Sequence, residues 1–302
     1  MKFRRTALAF SLVCFTLASG GRESPVVALA GDGDAKPVKK TVRAEDDLPI
    51  VCEVRGKGDT ALIFLHGWCG DRAYWKNQAD AFAADYRVVT LDQAGHGESG
   101  KDRKMWKTDS LAGDVQSVVK ALGLKRVILV GHSMGGPVAL LAAKRMPDRV
   151  VAVVGVDTLQ DAEFKAPEEM KKKFLEAFET EFKKTMREGF SGLLHEKTDP
   201  DLKKWLLTRA EAQDQKMALG LMRDMTDLDL KVLLKEAKTP VRCINSGGGF
   251  KFFRKTAIAT NKKYADFDAV TIEAVGHYPM LERPAEFNEK LRTVLKEFAN
   301  KK

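Results

Sequence analysis

The chain has 302 residues, 44% of them hydrophobic and 31% charged, with 24 Gly and 10 Pro, a composition that excludes collagen-like, low-complexity and largely disordered chains. That length leaves one or two domains open and is ample for a large core. Fifty-one Lys and Arg against 42 Asp and Glu leave a net charge of +9. Lys2, Arg4, Arg5 and Arg22 set against Glu23 supply three of those charges, and the rest are spread without a basic block. Such a balance favours solubility and gives no support to a nucleic-acid partner.

Residues 1–30 have the order of an export signal. Lys2, Arg4 and Arg5 precede an apolar run from Thr6 to Ala18, and small-residue cleavage sites follow at Ala18-Ser19-Gly20 and Ala28-Leu29-Ala30. The run is shorter than the roughly 20 residues a spanning helix needs, and no comparable run follows, so no stable membrane span is expected after cleavage. Val13 is too bulky for Cys14 to sit in a lipidation motif, and Arg4-Arg5 fits a twin-arginine signal only loosely. An uncleaved anchor or a frayed helix is the other reading of this segment. Cys52, Cys69 and Cys243 would remain, an odd count at irregular spacing that makes neither a disulfide framework nor a zinc pattern.

Buried-strand runs then alternate with helical patterns. Ala61–Leu65 ends at His66-Gly67, Arg87–Leu91 at Asp92, Arg126–Val130 at Gly131 and Val150–Val156 at Asp157. Val241–Ile244 and Ala269–Val275 follow later. Helices are expected over Tyr74–Ala84, Ser110–Leu122, Gly135–Arg145 and Ala285–Phe298. Continuous β-branched runs between helices predict an α/β fold with a mostly parallel central sheet covered on both faces. In such sheets ligands bind outside the carboxyl ends of the strands.

Between Leu159 and Ala237 the alternation stops. Met170, Phe174, Phe178, Phe182 and Met186 recur every four residues and predict one amphipathic helix, with Asp201–Met225 as another. The lysines between them read as a solvated face. This divides the chain into a core of residues 41–158 and 237–302 and a helical segment, 159–236, placed to roof the strand ends.

The chemistry centres on Gly131-His132-Ser133-Met134-Gly135-Gly136, a G-x-S-x-G pattern that follows a buried strand and opens a helix. The flanking glycines permit a tight strand-to-helix turn that lifts Ser133 clear of the backbone, and the helix N-terminus behind it favours developing negative charge. A capping serine on a Gly-rich turn is the plainer alternative.

From about Val51 to its end, the chain resembles the α/β-hydrolase superfamily. His66-Gly67-Trp68 matches the oxyanion loop of that family, Asp92-Gln93-Ala94-Gly95-His96-Gly97-Glu98-Ser99 its D-x-x-G-H-G-x-S turn, and Gly276-His277-Tyr278-Pro279-Met280-Leu281-Glu282-Arg283-Pro284 the segment bearing the catalytic histidine. The resemblance implies that the helical segment is a lid between the sixth and seventh strands. It also implies that Ser133 is the nucleophile, His277 the general base, and the backbone N–H groups of Trp68 and Met134 the oxyanion donors. His66, Asp92 and His96 are expected to hold loops, His132 to pack beside the turn and His195 to be exposed. No set of His, Cys and carboxylates is spaced for a metal, and no cofactor is expected.

The third catalytic group departs from the commonest family pattern. Where an acid usually follows the seventh strand, Pro240-Val241-Arg242-Cys243-Ile244-Asn245-Ser246-Gly247-Gly248-Gly249 carries glycine. The sixth strand ends in Gly155-Val156-Asp157-Thr158, so Asp157 is expected to be the acid, ahead of Asp161 and Glu163 further along. A cap on the first turn of the lid is the competing role for Asp157.

The resulting expectation is a secreted or periplasmic serine hydrolase acting on an ester or related acyl bond of a small molecule. A peptidase, a carbon–carbon hydrolase, a perhydrolase and a non-catalytic binder stay open on the same fold. Ser133 argues against the aspartate-nucleophile branches, epoxide hydrolases and haloalkane dehalogenases. Expressed in a Gram-negative host, the full chain should be recovered from periplasm or medium with its N-terminus shortened. N-terminal sequencing that returns intact Met1 from cytoplasmic material would overturn this expectation.

Overall fold

The computed structural model describes residues 36–247 and 255–299. The expected export segment and the glycines at 248 and 249 lie outside the described residues. Strands β1 (Val38–Arg43) and β2 (Pro49–Arg55) form an antiparallel hairpin. Then come β3 (Thr60–Leu65), a short 3-10 turn at Arg72–Trp75 leading into α1 (Lys76–Phe82), β4 (Arg87–Leu91), α2 (Thr108–Ala121), β5 (Arg126–His132), α3 (Gly135–Arg145) and β6 (Val150–Val156). Five helices follow: α4 (Glu168–Thr180), α5 (Phe182–Gly192), α6 (Pro200–Glu211), α7 (Gln215–Thr226) and α8 (Leu230–Ala237). The chain closes with β7 (Val241–Ser246), α9 (Ile258–Asn261), β8 (Phe267–Ile272), α10 (Pro279–Glu282) and α11 (Pro284–Lys296).

The eight strands form one sheet in the order β1-β2-β4-β3-β5-β6-β7-β8. β2 runs antiparallel to β4, and every pair from β4 to β8 is parallel. Alternate residues of the central strands enter opposite cores, as a side-chain period of two requires. Ile63, Leu65, Val127, Leu129 and Val153 meet α2, α3 and α8 on one face. Leu62, Phe64, Ile128, Val130 and Val154 meet α1 and α11 on the other.

Three expectations are corrected. The Met170–Met186 stripe is two helices, because Glu181 leaves helical geometry at φ −131, ψ 47 and ends α4 while starting α5. Phe178 near the end of α4 and Phe182, Met186 and Phe190 on α5 are buried, whereas Met170 and Phe174 earlier on α4 are exposed. The Thr185 hydroxyl bridges the break by donating to the Ala177 carbonyl (2.9 Å), which also accepts the Glu181 N–H (3.0 Å). Asp201–Met225 is likewise interrupted, with Asp214 capping α7 by accepting from the Met217 N–H (2.7 Å). The last strand spans Phe267–Ile272 rather than Ala269–Val275, since Ala274 takes a positive φ (51°) and turns the chain out of the sheet.

Arg103 ties the β1–β2 hairpin to the body of the fold. Its guanidinium forks onto both oxygens of Asp114 on α2 (2.8 and 2.9 Å) and reaches Asp46 in the hairpin turn. The Arg103 and Asp114 side chains are only 7% and 3% exposed, unlike those of most ion pairs here. Exposed pairs contribute about 0–1 kcal/mol, whereas stripping one partner from a buried pair costs about 3–5 kcal/mol. Arg103→Ala is therefore expected to lower unfolding stability by about 3 kcal/mol or more in denaturant titration. A loss under about 1 kcal/mol would show that Asp114 is solvated well enough to stand alone.

Candidate active site

Parallel register brings the candidate residues together. His132 pairs with Val156, and Val156 with Ile244, so the ends of β5, β6 and β7 lie side by side. Ser133 follows β5 with φ +51, a left-handed backbone that a non-glycine residue rarely adopts. Its N–H donates to the Val156 carbonyl (3.0 Å), and its own carbonyl accepts from the Gly136 N–H (2.9 Å) and the Thr158 hydroxyl (2.9 Å). The turn needs bare backbone around it. A Cβ on Gly131 would sit 2.1 Å from the Gly135 carbonyl oxygen, and one on Gly135 would sit 2.6 Å from that of Leu65.

Asp157 follows β6, also left-handed at φ +43, and its side chain has no exposure. Oδ2 lies 2.6 Å from Nδ1 of His277. Oδ1 accepts from both the N–H and the hydroxyl of Ser246, each at 2.9 Å. Asp161 and Glu163 point elsewhere. Asp161 accepts from the Glu163 N–H, and Glu163 meets Lys263 and Tyr264.

His277 leaves the sheet beyond β8 and is gripped through its backbone. Its N–H donates to the Leu193 carbonyl of the helical insert (2.8 Å), and its carbonyl accepts from Nε2 of His132 (2.8 Å). Glu282 takes the N–H groups on either side, those of Gly276 and Tyr278, both at 3.2 Å. The same carboxylate accepts from the Thr198 hydroxyl (2.6 Å) and the His195 N–H (3.4 Å), both in the insert. Sequence reading missed Glu282, Ser246 and Thr158. His195, expected to be exposed, is part-buried, with Nδ1 accepting from the Lys197 N–H (3.1 Å).

The loop after β3 lies against this turn, for a Cβ on Gly67 would approach that of Ser133 to 3.1 Å. Among the described residues, the N–H groups of Trp68 and Met134 have no acceptor. The Trp68 indole N–H donates to the Ala218 carbonyl of α7 (2.9 Å), and its ring meets Phe178 edge-on at 5.3 Å. A cavity of about 550 Å³ opens onto Ser133 and Met134, walled by Pro137, Ala162, Met225 and Leu230. Lys165, Lys171, Glu168, Asp227 and Asp229 also line it. No group of three or more His, Cys, Asp or Glu among the described residues could hold a metal ion. None of the described helices is long and apolar enough to cross a membrane.

A family model described as the alpha/beta hydrolase fold matches residues 60–226, more than half of the chain. The chain belongs to the α/β-hydrolase fold family. It is 40% identical over 101 residues to the dihydrolipoyllysine-residue acetyltransferase component of an acetoin cleaving system from Pseudomonas putida, a stretch covering 33% of this chain and 27% of that protein. The chain thus spans little more than a quarter of that relative. A pimeloyl-[acyl-carrier protein] methyl ester esterase from Aliivibrio fischeri matches at 27% identity over 83% of this hydrolase-fold chain and 99% of its own length. In structure, the esterase EaEST from Exiguobacterium antarcticum superposes with a TM-score of 0.76 at 19% identity, covering 86% of this chain and all of that one.

Buried imidazoles support the site from below. His66 donates from Nδ1 to the Gly67 carbonyl and accepts the Gln93 N–H at Nε2 (3.0 Å), while His96 accepts the Cys69 N–H at Nε2 (3.2 Å). Desolvation lowers His66 to a pKa of about 4 and His96 to about 3, and holds His132 well below the usual imidazole range. With folded values below the unfolded one near 6.5, the unfolded chain takes up protons first as pH falls. Stability should therefore decline from pH 6.5 towards 4, by about 1.4 kcal/mol per pH unit for each ring. Scanning calorimetry from pH 8 to 4.5 should record a falling Tm across that window, and a flat Tm would mean that these rings do not stay neutral in the fold.

Proposed function

We propose that this α/β hydrolase is an exported serine hydrolase that cleaves an ester or related acyl bond of a small molecule. The observation that carries this reading is the 2.6 Å contact between the buried Asp157 carboxylate and Nδ1 of His277, on the strand beside a serine held at φ +51. With Nδ1–H donated to Asp157, the imidazole lone pair resides on Nε2, the atom that takes a proton from Ser133.

In this reading the Ser133 oxygen attacks the acyl carbon, its proton passes to His277, and the carbonyl π electrons move onto oxygen. The N–H groups of Trp68 and Met134, which have no acceptor among the described residues, take up that oxyanion, a term of about 3 kcal/mol per donor in comparable sites. Collapse expels the alcohol, protonated by His277. Water, deprotonated by the same ring, then releases the acid and restores Ser133. Asp157 keeps the ring in the Nδ1–H tautomer and stabilises the imidazolium without taking its proton.

The cavity of about 550 Å³ at Ser133 suits a small-molecule ester, since ligand sites commonly fall between about 300 and 1,000 Å³. The methyl ester esterase of Aliivibrio fischeri, matched over most of both chains, favours an ester over other acyl bonds. Export rests on the Lys2, Arg4, Arg5 and Thr6–Ala18 pattern alone. A fluorophosphonate probe should label the wild-type protein and not Ser133→Ala, which keeps the fold but loses turnover. Asp157→Asn should retain KM while kcat falls by about 10⁴, because the wrong tautomer is held. Near-wild-type turnover in Ser133→Ala, or a loss below about tenfold in Asp157→Asn, would refute these assignments.

A further inference from the structure

We propose that Ser246, at the end of β7, is a positioning residue that orients Asp157 toward His277, an inference that rests on the serine-hydrolase reading above. The Asp157 carboxylate has no side-chain exposure and two oxygens with separate duties. Oδ2 meets His277, while Oδ1 receives both the N–H and the hydroxyl of Ser246 at 2.9 Å, and Ser246 is itself 1% exposed. A carboxylate turns readily about its terminal torsion, whose wells are broad. Two donors from one residue, converging on the oxygen that His277 does not use, fix that torsion.

The same strand end holds the backbone around the acid. The Asp157 N–H donates to the Ile244 carbonyl (3.1 Å), and the Thr158 N–H to Oδ1 of Asn245 (3.1 Å). Thr158 in turn donates its hydroxyl to the carbonyl of Ser133. β7 thus supplies the donors that set the acid and the acceptors that hold the backbone after β6, from which Thr158 steadies the turn bearing the nucleophile.

Ser246 also acts through charge. Donors at Oδ1 withdraw negative charge from the carboxylate, so losing one concentrates charge at Oδ2 and favours the imidazolium. Among the described residues, the ionisable groups packed about the pair include His132 from β5, Cys243 from β7, and Tyr278 and Glu282 beyond His277. Burial holds His132 in its neutral form and pushes the Cys243 thiol and Tyr278 phenol upward, while Glu282 is turned to backbone N–H groups. On this proposal the acid limb of the pH–rate profile is assigned to the Asp157–His277 pair.

The test measures kcat and KM against pH for wild type, Ser246→Ala and Ser246→Thr. Ser246→Ala is expected to lower kcat about tenfold at unchanged KM and to move the acid limb up by about half a pH unit. Ser246→Thr, which keeps the hydroxyl, should return both to near wild type. A Ser246→Ala enzyme within about twofold of wild type with an unmoved acid limb would overturn the role, as would a Thr variant as impaired as the Ala one. If the Ala variant melts too low to assay, Ser246→Cys, close in size but a weak donor, replaces it with the same expectations. Fluorophosphonate labelling separates the two levels. Wild-type protein that takes no label removes the serine-hydrolase reading itself, whereas labelled wild type with an unmoved Ser246→Ala profile removes only the part assigned to Ser246.

Discussion

A carboxylate with no solvent exposure is costly unless its lone pairs are taken up, and much of the strand-end geometry answers the demand of Asp157. Among the described residues three donors reach it, two from Ser246 and one from His277. They can converge only because β5, β6 and β7 run parallel with matched ends. Two of these ends leave the sheet through left-handed residues, Ser133 and Asp157, a backbone that costs energy outside glycine. Hydrogen bonds across the strand ends over-determine both turns. Ser133 is tied to Val156, Asp157 to Ile244, and Thr158 to both Asn245 and Ser133.

Much of the fold can be read from the chain because its central strands are buried on both faces and appear as unbroken apolar runs. The β1–β2 hairpin escapes that reading. β1 is an edge strand whose residues are mostly exposed, and its Lys39 and Lys40 hide the alternation. The two helix breaks in the insert escape it for the opposite reason. An apolar period of four continues through Glu181, and the break shows only in the backbone of that residue, which leaves helical geometry. Among the candidate site residues, Ser133 and His277 stand in local patterns, and Asp157 follows from its place at a strand end. Ser246 and Glu282 carry no such mark. One begins a glycine-rich stretch that reads as loop and gains meaning only from distant Asp157, while the other is a surface-type residue in a helix whose carboxylate joins its near neighbours Gly276 and Tyr278 to distant Thr198.

The insert is bound to the site by its backbone as much as by its apolar side chains. Leu193 offers its carbonyl to the His277 N–H, and Glu282 holds residues on both sides of His277 together with His195 and Thr198. Trp68 spans the same boundary from the other side. Its indole bonds to Ala218 and packs on Phe178, while its backbone N–H, on the loop beside Ser133, has no acceptor among the described residues.

This double use of Trp68 and Glu282 bears on how the protein could be re-engineered. An insert between two strands invites treatment as an interchangeable cassette, to be trimmed or swapped to reshape the pocket. Here the 193–198 stretch and α7 are also the scaffold against which the proposed base and one oxyanion donor are registered. A graft would have to carry over the Leu193 carbonyl, the Thr198 hydroxyl and a seat for the Trp68 indole. Without them, changing substrate range would loosen the machinery meant to act on the new substrate.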